Sequence, residues 1–171
     1  MNNRIYNIIA STMCFFCFTF TSGAAETEPS LPVEWTADGQ FNVRIENDVR
    51  IVELQDNVRV TQGGLAISGD QAIFEYTADS NDLIRVTVHG TPVQYRQEQE
   101  GSDTVVTGSS DTIILSEDEV TENTIVEMKG NATIRTPDST TNCVGLIYDT
   151  VLNIIPSSTP PCSGSLSSPT N

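Results

Sequence analysis

The chain has 171 residues, enough for one domain, and its 23 acidic against 8 basic residues give a formal net charge of −15. Nucleic-acid binding requires Lys and Arg side chains that neutralise phosphates, so this charge excludes it. For the same reason, the chain is not expected to dock on an anionic membrane through a basic patch.

The first 25 residues have the pattern of a secretory signal peptide. Arg4 is the only charged residue among them, the run from Ile5 to Phe20 is mostly apolar, and small residues follow it up to Ala25. The apolar run is shorter than the roughly 20 residues that span a membrane, which favours cleavage over an uncleaved anchor. We expect a mature chain that begins at Ala25 or Glu26 and is released by osmotic shock. Recovery of the uncut chain in the inner-membrane fraction would contradict this.

After a short leader, apolar and polar side chains alternate in short runs separated by turn residues, which is typical of β-strands. No window outside the signal peptide has a helical period, so the predicted fold is all-β. From Pro156 onward the chain is rich in Ser, Pro and Thr, and we expect a tail without regular structure there. The predicted strands cover residues 32–38, 41–45, 49–62, 65–76, 84–88, 93–95, 105–115, 124–134, 143–148 and 151–155.

The stretch from Leu54 to Tyr76 predicts a hairpin whose turn is Gly63-Gly64. In its first strand Val58 and Val60 alternate with polar residues, which is typical of a half-buried strand. The second strand is interrupted at Gly69-Asp70, and such a pair inside an alternating run predicts a bulge.

The same unit recurs along the chain. Strand–turn–strand units are anchored at Asp56, Gly90 and Gly130, and the pattern D-x-A-x-F from Asp70 returns as D-x-I-x-L from Asp111. Repeats of roughly 40 residues made of paired strands predict a stack in which each unit buries its apolar face against the next.

The hairpin also carries a resemblance to a known family. Its pattern D-N-V-x-V-T-Q-G-x-x-x-I-x-G-D-x-A, at residues 56–72, is similar to the repeat of the OstA/LptA family of periplasmic lipopolysaccharide carriers, and the resemblance extends over residues 32–136. It implies an open, twisted β-jellyroll in the shape of a V, which we assign to residues 26–155, and the Ser/Pro-rich residues 156–171 follow as a C-terminal tail. The apolar interior of such a jellyroll holds the acyl chains of lipid A.

The resemblance also implies partners that pair with the free edge strands. These are an inner-membrane LptC-like protein, an outer-membrane LptD-like protein and further copies of the chain, joined head to tail. Strand addition provides affinity through backbone hydrogen bonds and needs no special side chains.

Nine residues on the apolar faces of successive strands are predicted to line this lipid groove. The alternative is that they fill an ordinary core. They are Val33, Trp35, Val58, Val60, Ile67, Phe74, Val86, Tyr95 and Ile134.

Cys143 and Cys162 are the only cysteines left after cleavage, and in an oxidising compartment we expect a disulfide between them. Two cysteines and one distant histidine are too few for a structural zinc site.

His89 falls on a polar face, and the acidic run at 117–119 is expected to be a solvated loop. No catalytic or phosphate-binding motif is present, so we expect no metal, no cofactor and no enzymatic activity.

Three other interpretations remain open at this point. The chain could be the membrane-anchored, LptC-like partner of the same pathway if residues 1–25 stay attached. From another class, it could be a secreted glycan-active β-sandwich or β-solenoid enzyme that uses its acidic side chains as catalysts. It could also be a structural β-fibre subunit.

Overall fold

The computed structural model describes residues 32–99, 101 and 103–167, so the signal peptide predicted for residues 1–25 lies outside the described residues. The described part of the chain is all-β, as predicted, and contains no helix that could span a membrane. Its strands are β1 (Glu34–Thr36), β2 (Phe41–Glu46), β3 (Val49–Gln62), β4 (Leu65–Thr77), β5 (Leu83–Glu98), β6 (Val105–Glu117), β7 (Thr124–Thr136), β8 (Ser139–Asp149), β9 (Ile154–Thr159) and β10 (Ser163–Leu166).

All the strands belong to one antiparallel sheet. Six long strands, β3 to β8, lie side by side in chain order because each is joined to the next by a short turn. The predicted hairpin at Gly63-Gly64 is the turn between β3 and β4, so this prediction is confirmed. At one end of the sheet β1 and β2 both pair with β3, and at the other end β9 and β10 both pair with β8.

The long strands are bent at one common level, which divides the sheet into two layers. The pairing register shifts there in every neighbouring pair from β3 to β8, and such bulges bend a strand. The shifts fall between Gln55/Val58, Ser68/Gln71, His89/Val93, Ser109/Thr112 and Lys129/Ala132. We call this level the bend line. Layer A comprises β2, 49–55, 71–77, 83–89, 112–117, 124–129, 145–149 and β9; layer B comprises β1, 58–62, 65–68, 93–98, 105–109, 132–136, 139–143 and β10.

Two of the repeat anchors make the bend by the same backbone geometry. Asp56-Asn57 in β3 and Gly130-Asn131 in β7 all have φ between 50° and 76°, a left-handed conformation that Asp, Asn and Gly tolerate best. Asn57 donates a hydrogen bond to Asp38 (2.9 Å), and Asn131 donates one to Asp111 (3.0 Å). The sequence pattern predicts turns between strands at these anchors. The structure corrects this, because the strands run through them as bulges.

The C-terminal tail is a second difference from the sequence prediction. We expected no regular structure after Pro156, and this is wrong for residues 156–166, which form most of β9 and all of β10. Their polar composition cannot build a core, but the edge of β8 offers backbone donors and acceptors that pair with any sequence.

Candidate functional site

The two layers face each other across one apolar interior. Seven of the nine predicted groove residues are at most 2% exposed and belong to a single buried cluster. The structure therefore brings these seven together on one face, as the alternation predicted, and packs them closely. They are Val58, Val60, Ile67, Phe74, Val86, Tyr95 and Ile134.

The other two predicted residues lie at the β1 edge of this interior. Trp35 is directly opposite the buried Val60, and directly paired residues share a face of the sheet, so Trp35 points to the interior side. Val33 is half-buried against the core cluster, whereas Trp35 remains largely exposed.

Strand β2 extends this apolar surface with residues that are not among the nine predicted groove residues. Phe41 is opposite the buried Leu54, so it faces inward, and Val43 and Ile45 share its face by alternation. Phe41 is nevertheless 61% exposed, because no other part of the described chain covers it. Its ring lies 6.0 Å from that of Trp35 between centroids. We call Trp35, Phe41, Val43 and Ile45, together with the adjoining Val33, the N-terminal mouth.

The opposite end of the interior has a different surface. Thr141 shares the inward face of Ile134, Gly164 pairs with Thr141, and Ser158 pairs with the buried Leu146. Small and polar groups occupy most inward positions at this end, although Ile155 packs against the core cluster and Leu166, opposite Ser139, is an exposed apolar side chain. The N-terminal mouth is therefore the more apolar of the two ends.

Hydrogen bonds between β5 and the turn after β8 join the two layers along one rim. The amide of Gln97 in layer B donates to the backbone oxygen of Thr150 (3.3 Å), and Gln99 donates to Asn153. We call these two contacts the clasp. The rings of Tyr95 and Tyr148 meet edge to face behind it, with centroids 6.3 Å apart.

Two tyrosine hydroxyls donate hydrogen bonds to side chains of the clasp. The Tyr95 hydroxyl donates to Gln97 (2.6 Å) and that of Tyr148 donates to Asn153 (2.8 Å). Burial raises the pKa of both tyrosines, because the charged phenolate would lose its hydration. Both groups therefore stay protonated and serve as hydrogen-bond donors.

A buried carboxylate fixes the turn that carries Thr150 and Asn153. Asp149 accepts hydrogen bonds from the backbone N–H groups of Leu152 (2.8 Å) and Val151 (2.9 Å) and from the Asn123 amide (2.9 Å). Although burial opposes its ionisation, these hydrogen bonds prevail and hold the pKa of Asp149 below its usual value. The carboxylate thus has a structural partner for each oxygen.

The acidic run at 117–119 is also accounted for by a turn. Asp118 accepts hydrogen bonds from the backbone and hydroxyl of Thr121 (2.8 and 2.9 Å) and from the backbone of Val120 (3.1 Å). These bonds lower the pKa of Asp118. The Nδ1 atom of His89 forms a hydrogen bond with the Thr112 hydroxyl (3.0 Å). Within the described residues, no group of three or more His, Cys, Asp or Glu side chains could hold a metal ion.

These features define a class of protein. A bent antiparallel sheet that packs its apolar face against itself and leaves short edge strands at its ends belongs to the open all-β class. Comparisons with known proteins identify the family. Residues 39–153 match the family model described as LptA/(LptD N-terminal domain) LPS transport protein, and the chain belongs to this family.

A solved structure shows the same fold. The chain is similar to the crystal structure of LptH, the LptA homologous periplasmic component of the conserved lipopolysaccharide transport device from Pseudomonas aeruginosa. The TM-score is 0.63 at 22% sequence identity, covering 82% of this chain and 100% of that chain. The open antiparallel β-architecture expected from the sequence is thereby confirmed. A search of curated proteins gives no match.

Proposed function

We propose that the chain is a non-enzymatic carrier of lipopolysaccharide in the periplasm, and that it bridges the inner and outer membranes. The observation that carries the proposal is the N-terminal mouth, where inward-facing apolar side chains continue the surface of the buried interior out to solvent. Membership of the LPS transport family supports the same assignment.

The charge of the chain defines how lipopolysaccharide is held. The formal net charge of −15 repels the anionic phosphates of lipopolysaccharide. The protein therefore binds this lipid through its acyl chains. Burial of apolar surface stabilises such a complex by about 25 cal/mol per Å². Phe41 and Ile45 expose much of their apolar surface for this contact.

Acyl chains reach the interior when the two layers separate. The core between them is fully packed, so a lipid must displace contacts between the layers before it enters. The bend line is the hinge in this proposal, and the clasp from Gln97 and Gln99 is the contact that opens. The path then follows Val33 and Trp35 at the mouth to the buried residues that include Phe74.

The partners pair with the edge strands. Within the described residues, β1 and β2 have a neighbour on one side only, which leaves backbone groups free for strand addition. We propose that an inner-membrane LptC-like protein, an outer-membrane LptD-like protein and further copies of the chain join at such edges. The apolar interior then continues from one molecule to the next.

Photo-crosslinking tests the carrier proposal. A photoreactive amino acid at Val33 or at Phe74 should form adducts with lipopolysaccharide in cells, since both positions lie on the proposed path. The same probe at Arg59 or Arg85, which lie on the outer face of the sheet, is the matched control and should form none. Adducts at both pairs of positions, or at neither, would contradict the proposal.

A charge at the mouth provides a second test. Val33→Asp should abolish lipopolysaccharide binding because acyl chains would have to pass an ion without hydration. Val33 precedes the short edge strand β1 and is only half-buried, so the thermal unfolding midpoint should change little. Undiminished binding by a folded Val33→Asp variant would rule out this entrance.

A further inference from the structure

Strand β8 is the last long strand of the sheet, and its outer edge is covered by the chain itself. β10 pairs with residues 139–142 of β8, and β9 pairs with residues 145–149. The segment 154–166, which we call the cap, therefore covers both halves of this edge.

The cap repeats the arrangement found at the other end of the sheet. There, β1 pairs with 59–61 of β3 in layer B, and β2 pairs with 49–54 in layer A. β9 and β2 each have six residues, and each borders layer A. A β2 strand from a second copy therefore has the length and the layer needed to replace β9 on β8.

Little side-chain packing holds the cap in place. Ile155 is the only residue of β9 that is not exposed, and all four residues of β10 are exposed. Leu166 at the end of β10 is 87% exposed. A segment held by backbone hydrogen bonds and few apolar contacts belongs to the part of a protein that opens most easily.

A disulfide bond compensates for this weak packing. Cys143 lies on β8 between the two stretches that pair with the cap, and Cys162 lies between β9 and β10. One covalent bond thus ties the middle of the cap to the middle of the edge. The bond closes a loop with a sequence separation of 19 residues.

The outer edge of the cap is a poor place for another strand. Pro156 lies within β9, and Pro160 and Pro161 separate β9 from β10. Proline has no N–H to donate, so it is confined to strands that end a sheet. β2 contains no proline and presents Phe41, Val43 and Ile45 on its inward face. The two ends of the sheet therefore differ, one being open to strand addition and the other closed.

We propose that the cap is a redox-controlled lock on head-to-tail assembly. With Cys143 and Cys162 joined, the chain accepts a partner strand only at its β1–β2 end. A dithiol reductant opens the lock: it supplies two electrons and two protons, the S–S bond becomes two thiols, and the dithiol becomes a disulfide. The cap then leaves β8, and β2 of a second copy takes its place. This inference rests on the edge-to-edge assembly of the proposed function.

Light scattering on the purified mature chain tests the lock. The oxidised chain should stay monomeric, while the chain reduced with dithiothreitol and the Cys143→Ser/Cys162→Ser variant should associate. Loss of a tether that closes a loop of this size should tighten self-association roughly 100-fold. Adding Val43→Lys to the double variant should reverse the effect, because an inward charge on an edge strand blocks strand addition.

Hydrogen exchange on the native chain is a second measurement, which does not depend on how well the double variant folds. On reduction of the native chain, the amides of β9 and β10 should lose protection as the cap leaves β8, while those of β4 to β6 keep theirs. Equal association of the oxidised and reduced chains overturns the lock, as do β9 and β10 amides that stay protected on reduction. A reduced chain that releases the cap but remains monomeric overturns it as well.

The lipid adducts separate this inference from the proposed function. Crosslinking at Val33 is measured on the oxidised chain, which needs no second copy to bind lipid. Adducts there without a change of assembly on reduction refute the lock alone. Redox-controlled assembly without adducts refutes the carrier and leaves the lock in place.

Discussion

Phe74→Ala should lower the free energy of unfolding by about 3–5 kcal/mol, the usual loss when a buried aromatic ring is removed. Phe74 is only 1% exposed and lies in the core between the layers, where its ring stacks with that of Tyr76 at 6.4 Å between centroids. The substitution leaves a cavity that a sheet constrained by neighbouring strands cannot fully close. Denaturant unfolding monitored by circular dichroism measures the loss.

Phe41→Ala is the matched control, because it removes the same side chain from the same sheet face. Phe41 is largely exposed on edge strand β2, so its loss should change the unfolding free energy by less than about 1 kcal/mol. Lipopolysaccharide capture should nevertheless fall, because the mouth loses its most protruding ring. If Phe41→Ala destabilised the protein as much as Phe74→Ala, the mouth would be part of the core and the proposed entrance would be wrong.

The sequence predicts the strands well because alternation reports directly on a half-buried sheet. Val58 and Val60 are buried while Asn57 and Arg59 are exposed, as their parity indicates. Periodicity also predicts the bulge at Gly69-Asp70, where the register between β4 and β5 shifts.

The cap could not be predicted in this way, since its pairing depends on the edge that β8 offers. The segment that contains Pro156 and Pro160 has neither alternation nor β-branched enrichment sufficient to indicate a strand. Its conformation is determined by backbone pairing and by the Cys143–Cys162 bond, which is a tertiary constraint. Local sequence carries no information about such a constraint.

The sequence predicts on which face of the sheet the residues of the candidate site lie, but not how deeply each of them is buried. Parity places Trp35 and Phe74 on the same apolar face, yet one is exposed and the other is buried. The difference arises because Phe74 lies on a central strand covered by the opposite layer, whereas Trp35 lies on an edge strand. Which strands are central depends on sheet order, and alternation alone does not reveal it.

The Asp and Gly residues at the bend line are easily mistaken, from sequence alone, for turns that end strands. The Asp56 side chain of β3 occupies the space that a Cβ on Gly39 would need. The Asp111 carboxylate of β6 occupies the space that a Cβ on Gly130 of β7 would need. A carboxylate and a glycine thus face each other at both bulges. The carboxylate belongs to the bulge in β3, whereas the glycine belongs to the bulge in β7. The repeated Asp and Gly anchors reflect this close approach of neighbouring segments, and not turns that end the strands.

Gly130→Ala should therefore destabilise the protein by about 1–3 kcal/mol more than Gly101→Ala, which is the range for forcing extra volume into a packed site. Both glycines are left-handed, with φ of 76° and 72°, so both substitutions carry the same backbone strain. A Cβ at Gly130 would overlap the Asp111 carboxylate, whereas a Cβ at Gly101 would meet no atom within 4 Å. Denaturant unfolding of both variants measures the difference. Equal losses would mean that backbone strain alone acts at Gly130, and that the contact with Asp111 does not shape the bend.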